Sequence, residues 1–292
     1  MTTQQVLVGL DGSPQSEAAA MWAAQEAHRF GAALRLLHVW PWLSGAEAER
    51  QARPDDLRPA ALDALARVAD RIRTAHPDLT VETAVRGDDP VDGLVAEAQG
   101  QRMLVLGSRG LGGFAGLLVG SVSLAVAARA SVPTVLVREA QPLPRTDTAP
   151  VREVVVGLDS CEPDEAVLEF AFTQAERRGA RLRAVHGWEP APAWAFGSMM
   201  PPPMDLPDQE GTETALLSEH LAPLRAGHPG VEVVEDVRIG GAANAVLDAS
   251  AGAELVVIGR RERRHRIGML LGPVAHAVLH HSTAPVAVVP HP

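Results

Sequence analysis

The chain contains no lysine; all 26 of its basic residues are arginine. That excludes a Walker-type phosphate loop, whose lysine reaches the terminal phosphates, and it excludes Schiff-base chemistry and a lysine general base. Any phosphate this protein holds must be held by backbone N–H groups, a helix dipole, hydroxyls, arginine and Mg²⁺. Cysteine is nearly missing as well. Cys161 stands alone, so no disulfide can close within the chain, and a cytoplasmic setting is the expectation. Positive charge is in deficit: the formal net charge is −10, which argues against nucleic acid or an anionic membrane as a partner. No apolar run reaches the roughly 18 residues a membrane span needs. Residues 1–5 lead into an apolar run without the charged-then-apolar pattern of a signal peptide. His276 and His280 have a zinc-like spacing, but no glutamate accompanies them in the HExxH sense.

What is present suits a globular protein of two domains. The length of 292 residues and an apolar fraction of 46% are enough for two cores. The most informative stretch is 107–123, GSRGLGGFAGLLVGSVS. It follows a short apolar run, 103–106, and precedes an Ala-rich helical pattern, 122–130. A strand feeding a glycine-rich loop and then a helix start is a recipe for binding phosphate. The glycines are expected to supply positive φ and close approach, and the first helical N–H groups point at the anion. Ser121 and Ser123 are expected to add hydroxyl donors.

Strand and helix patterns alternate along the chain. Residues 6–10 read as a strand ending at Asp11; Ser13 and Pro14 are a helix N-cap and first position, and Gly31 is the stop. Strands follow at 34–39, 79–85, 103–106 and 133–137, with helices near 58–75, 91–98 and 122–130. Such alternation predicts a parallel sheet covered on both faces. Residues 138–151, with Pro142, Pro144 and Pro150, read as a linker, which divides the chain into domains at 1–140 and 151–292.

Then the pattern repeats. Residues 154–159 repeat 6–11 at an offset of 148, and His186 and Trp188 repeat His38 and Trp40 at the same offset. Gly259, Gly272 and Pro285 echo Gly107, Gly120 and Pro133 at 152. A repeat this long is a duplicated domain. The Pro-, Ala- and Met-rich segment 190–207 interrupts the second copy after its second strand, as an insertion or a loop over the cleft.

Two copies of a strand ending in Asp, followed later by the spacing G-x2-G-x9-G-S (Gly107, Gly110, Gly120, Ser121), resemble the universal stress protein family in its tandem form. The resemblance covers essentially the whole chain. It implies two flavodoxin-like (Rossmann-like) α/β domains, each a five-stranded parallel sheet of order 3-2-1-4-5 with helices on both faces. It also implies ATP, with Mg²⁺, as the ligand, bound outside the carboxyl ends of strands 1 and 4. By that resemblance Gly9 and Gly107 lie at the strand ends. Asp11 accepts hydrogen bonds from adenosine, and Val39 offers backbone groups to adenine. Arg109, Gly110, Gly120, Ser121, Val122 and Ser123 surround the phosphates. Asp159, Gly259 and Gly272 are the second-copy counterparts.

The residues themselves leave alternatives open: Asp11 as a turn or cap residue, Arg109 as a solvated loop cation. The second copy departs from the pattern, with Glu262 in the place of the second glycine and Pro273 in the place of the serine. Arg260, Arg261, Arg263, Arg264 and Arg266 crowd the same loop with His265. They read as a solvated basic patch, as an altered anion site, or as a contact for an acidic partner. The leading functional expectation is an ATP-binding regulator in stress response, not a metabolic enzyme. A slow ATPase of the same fold and a nucleotide-free scaffold are the alternatives. The fifth strands of the two copies are short, apolar and at sheet edges, so the halves are expected to dock through them as a pseudo-dimer. An unidentified protein partner and a homodimer are further expectations.

Overall fold

The computed structural model describes residues 4–40, 54–110, 119–138, 152–159, 163–190, 206–262 and 271–292. The first half runs β1 (Val6–Gly9), α1 (Pro14–Phe30), β2 (Leu34–Trp40), α2 (Pro54–Ala75), β3 (Val81–Gly87), α3 (Pro90–Ala98), β4 (Met103–Gly107), α4 (Ser121–Arg129) and β5 (Thr134–Val137). The second half repeats the series as β6 (Glu153–Gly157), α5 (Glu165–Arg178), β7 (Arg181–Trp188), α6 (Leu206–Gly227), β8 (Val233–Ile239), α7 (Ala242–Ala249), β9 (Leu255–Arg261), α8 (Pro273–His281) and β10 (Val286–His291).

The helix boundaries follow from local chemistry. Ser13 is extended and its hydroxyl oxygen accepts the Ser16 N–H at 3.1 Å; Pro14 opens α1, and Gly31 closes it with φ 61°. Asp164 and Gly179, with φ 58°, repeat the device on α5. Two elements of the first half differ from expectation by two residues or more. Helix α2 starts at Pro54 with Pro59 inside it, upstream of the expected 58. Strand β3 is shifted toward its C-terminus because the Leu79 N–H turns back to the His76 carbonyl instead of joining the ladder.

Among the described residues ten strands lie in one sheet, in the order β3-β2-β1-β4-β5-β10-β9-β6-β7-β8. Each half therefore has the order 3-2-1-4-5, and every pairing is parallel except β5 with β10, which is antiparallel with Ala287 opposite Val135. β5 and β10 are short edge strands with fully apolar centres, so joining them removes two open edges at once. The core on the α1/α5 side is continuous across the join, running from Val6 and Ala23 to Phe172 and Leu217.

Polar groups lock the join. Arg178, 3% exposed, places Nη2 2.7 Å from Oε1 of the buried Glu26 and Nη1 3.6 Å from Glu254. Arg177 lies 4.6 Å over the Phe30 ring and donates to the Arg29 carbonyl at 3.1 Å. On the other face, Arg138 donates through Nη2 to the carbonyls of Leu279 and His280 at 3.0 and 2.5 Å. Arg260 donates through Nη2 to the Ala130 carbonyl at 2.5 Å.

Candidate functional site

The strand order reverses between β1 and β4, and there a cleft of about 610 Å³ opens at their carboxyl ends. All ten first-half residues singled out from the sequence line it. Gly9 and Asp11 come from the end of β1, and Val39 from β2. Gly107, Arg109 and Gly110 leave β4, and Gly120, Ser121, Val122 and Ser123 open α4. These residues lie up to more than a hundred positions apart, and the topology alone gathers them.

Of the two jobs expected of the glycines, the described residues at this site show close approach and not positive φ. Neither Gly107, Gly110 nor Gly120 adopts positive φ. Gly107 instead lets α1 press onto β4: a Cβ there would lie 2.8 Å from the Gln15 carbonyl carbon and 2.9 Å from the Ser16 nitrogen. A Cβ on Gly9 would lie 2.5 Å from Leu106 Cδ2, and one on Gly110 would lie 2.3 Å from Asp11 Oδ2. Close approach is the requirement at Gly9, Gly107 and Gly110, whereas a Cβ on Gly120 would meet nothing nearer than 3.6 Å.

Asp11 does structural work at the site. Its Oδ1 accepts the Ser13 N–H at 3.0 Å and the Ser13 hydroxyl at 2.6 Å, while Oδ2 faces the backbone of Gly110. The carboxylate is thereby oriented across the cleft between the β1 turn and the β4 loop. Two expected donors are already engaged. The Ser123 hydroxyl donates to the Gly107 carbonyl at 2.7 Å, and the Gly120 N–H donates to the Ser108 carbonyl at 2.7 Å. The first intrahelical bond of α4 runs from the Leu124 N–H to the Gly120 carbonyl at 3.0 Å. Helix geometry therefore leaves the N–H groups of Ser121, Val122 and Ser123 at the cleft as donors for an anion.

Two supporting residues had no role in the sequence reading. His38 Nδ1 donates to the Leu10 carbonyl at 2.6 Å, tying β2 to the turn that carries Asp11. His186 repeats this with the Leu158 carbonyl at 3.1 Å. The His-x-Trp repeat was visible in the sequence; its purpose was not. Gly93 on α3 is the second, since a Cβ there would lie 2.8 Å from Val39 Cγ1.

The second half has a smaller cleft, about 410 Å³, lined among others by Asp159, Gly259 and Gly272. Three changes reshape it. Gly187 takes the position of Val39, and α7 closes down until Ala242 Cα lies 2.7 Å from where a Cβ would be. β9 and β10 run on together to Arg261 and His291, beyond the point where β4 stops. The His291 ring then lies against Gly259 with Nδ1 3.3 Å from Asp164 Oδ2. Pro273 opens α8 without an N–H, and the Glu262 side chain lies 3.6 Å from Arg260.

Within the arginine cluster the solvated reading is corrected at Arg260, which is 7% exposed with its Nη2 bonded to the first half, whereas Arg261 is exposed. Burial lowers the pKa of the Arg260 guanidinium from the ordinary value, and Glu262 partly offsets that. Arg263, Arg264, His265 and Arg266 lie outside the described residues, as do Cys161, 111–118 of the glycine-rich loop, most of the 138–151 linker and most of the 190–207 segment. His276 and His280 stack ring on ring at 4.4 Å on α8.

The profile of the universal stress protein family matches the chain twice, over residues 2–138 and 150–290. The chain belongs to the universal stress protein family. Family members of similar length share its full extent. A universal stress protein of Mycolicibacterium smegmatis is 33% identical over 291 residues, covering 97% of this chain and 96% of its own. One from Mycobacterium tuberculosis H37Rv has the same identity and coverage. Among solved structures, a universal stress protein from Archaeoglobus fulgidus DSM 4304 shares the fold with a TM-score of 0.66 at 20% identity, covering 99% of both chains. The family's flavodoxin-like fold thus occurs here twice in tandem.

Proposed function

We propose that the first cleft binds an adenine nucleotide, as ATP with Mg²⁺, and that the protein is a nucleotide-dependent regulator in stress response, not a metabolic enzyme. The observation that carries this reading is the convergence of Asp11, Arg109 and the start of α4 on one 610 Å³ cleft at the topological switch point. The cleft has an apolar end at Val39, Leu94 and Leu106, suited to a purine, and a donor-rich end at α4, suited to phosphate. A helix N-terminus alone contributes only about 0.3–1 kcal/mol toward an exposed anion. Arg109 and Mg²⁺ therefore share the load. In this reading occupancy of the cleft, not turnover, is the signal. The protein works in the cytoplasm on an unidentified protein partner, with its halves docked as a pseudo-dimer.

For the second half we favour a nucleotide-free, structural role. The run-on of β9 and β10 carries His291 against Gly259, and Pro273 removes a donor at the helix start. The test is to release any ligand from purified protein, identify it by mass, and titrate ATP and AMP calorimetrically with and without Mg²⁺. One adenine nucleotide per chain, lost in Gly110→Glu, is the expected result. Wild-type affinity in that variant, or no binding at millimolar nucleotide, refutes the assignment.

A further inference from the structure

The two halves exchange arginines at helix ends. Arg260 lines the second cleft, yet its Nη2 bonds the Ala130 carbonyl, the C-cap position of α4. The opposite end of α4 supplies the N–H donors of the first cleft. Arg138 makes the reverse connection, bonding the Leu279 and His280 carbonyls in the last turn of α8, whose start lines the second cleft. Both helices have nine residues, so each cap lies about 13 Å from the cleft end it serves. A cation on the last carbonyls of so short a helix holds its terminal turn and keeps the whole rod in place.

From this exchange we propose that Arg260 and Arg138 are positioning residues that couple nucleotide occupancy of the first cleft to the join between the halves. The inference rests on the nucleotide reading given above. Arg260 holds α4 so that Ser121, Val122 and Ser123 present their N–H groups at a fixed place. The return signal runs through the backbone: Ser108, next to Arg109 at the first cleft, donates its N–H to the carbonyl of Val137, next to Arg138, at 2.8 Å. A phosphate held at Arg109 fixes that bonded pair and with it the hold of Arg138 on α8; the Arg109 charge, after burial, also lowers the Arg138 pKa from the ordinary value. Nucleotide in one half thereby tightens the other half, which is how an occupancy signal reaches a surface remote from the cleft.

The test uses the full chain and MgATP. Calorimetry on Arg260→Met is expected to show ATP binding about three- to tenfold weaker, with Arg260→Lys, which keeps a charged donor, close to wild type. Arg178→Met serves as the control: it breaks the buried Arg178–Glu26 pair at the same join, and it lowers the melting temperature without changing the ATP affinity. Amide hydrogen exchange supplies the second readout. ATP slows exchange over 273–281 in wild type and fails to do so in Arg138→Met. Unchanged affinity in Arg260→Met, equal weakening in Arg178→Met, or ATP protection of 273–281 that survives in Arg138→Met overturns the coupling while the nucleotide reading stands. A wild-type protein that leaves ATP unbound refutes both.

Discussion

Replacing Gly110 by alanine adds one methyl group, and the structure says what it meets. The new Cβ would lie 2.3 Å from Asp11 Oδ2, inside the 3.0 Å that real Cβ contacts respect. The carboxylate must therefore turn. Its other oxygen is held by the Ser13 N–H at 3.0 Å and the Ser13 hydroxyl at 2.6 Å, so turning strains or breaks those bonds. Hydrogen bonds to a charged group contribute about 1.5–3 kcal/mol. If the nucleotide relies on the oriented carboxylate, the same displacement weakens binding by about 10- to 100-fold. Calorimetric titration of Gly110→Ala with MgATP reads the affinity, and a thermal melt reads the stability. The motif gives Gly110 and Gly120 equal weight, but the structure does not. A Cβ on Gly120 meets nothing nearer than 3.6 Å, and φ there is −72°. Gly120→Ala is therefore expected to fold with a loss of about 1 kcal/mol or less, as for a weakened N-cap. Wild-type ATP affinity in Gly110→Ala, or unfolding of Gly120→Ala, would refute the close-approach account of these glycines.

Other expectations follow from single features. Arg178→Met takes the 2.7 Å partner from the Glu26 carboxylate, 1% exposed, which then keeps Arg29 alone, and urea denaturation is expected to show about 1–3 kcal/mol less stability. His38→Ala removes the donor to the Leu10 carbonyl and loosens the turn carrying Asp11; a loss of about 1–3 kcal/mol, with weaker ATP binding, is expected from melts and titration. Burial first, then the positive charges of His276, His281 and Arg138, holds the His280 pKa below its ordinary value. A base with a depressed folded pKa takes up fewer protons folded than unfolded, so stability falls as pH drops through about 6.5. His280→Gln is expected to flatten the melting temperature between about pH 7.5 and about pH 5.5, about one unit either side of that value. An unchanged slope would remove His280 from the acid response.

Much of the fold was legible because its signals are local. Ser13 with Pro14 and Gly31 mark a helix wherever it folds, since capping depends on neighbours within one turn. Apolar runs such as 103–106 announce buried parallel strands because both their faces must be covered. The duplication was legible in offsets, whereas the strand order and the cleft at the switch point were legible only as what the family resemblance implies. His38 shows the limit. The sequence showed that it recurs at His186, but its bond to Leu10 spans 28 residues and depends on strand register.

By itself, then, the sequence determined the layers, the caps and the repeat, because each is a matter of nearby residues or of periodicity, while the set of residues at the first cleft was legible only through the family resemblance. Tertiary structure decided which groups at that cleft remain to bind anything. The Ser123 hydroxyl is engaged by Gly107, sixteen positions away, and Arg260 by Ala130, 130 positions away. It also decided that the fifth strands, expected to dock, pair antiparallel within one sheet, and that His291 enters the second cleft against Gly259. Such outcomes turn on a few ångströms between segments remote in sequence, where packing density admits one arrangement and no local rule selects it.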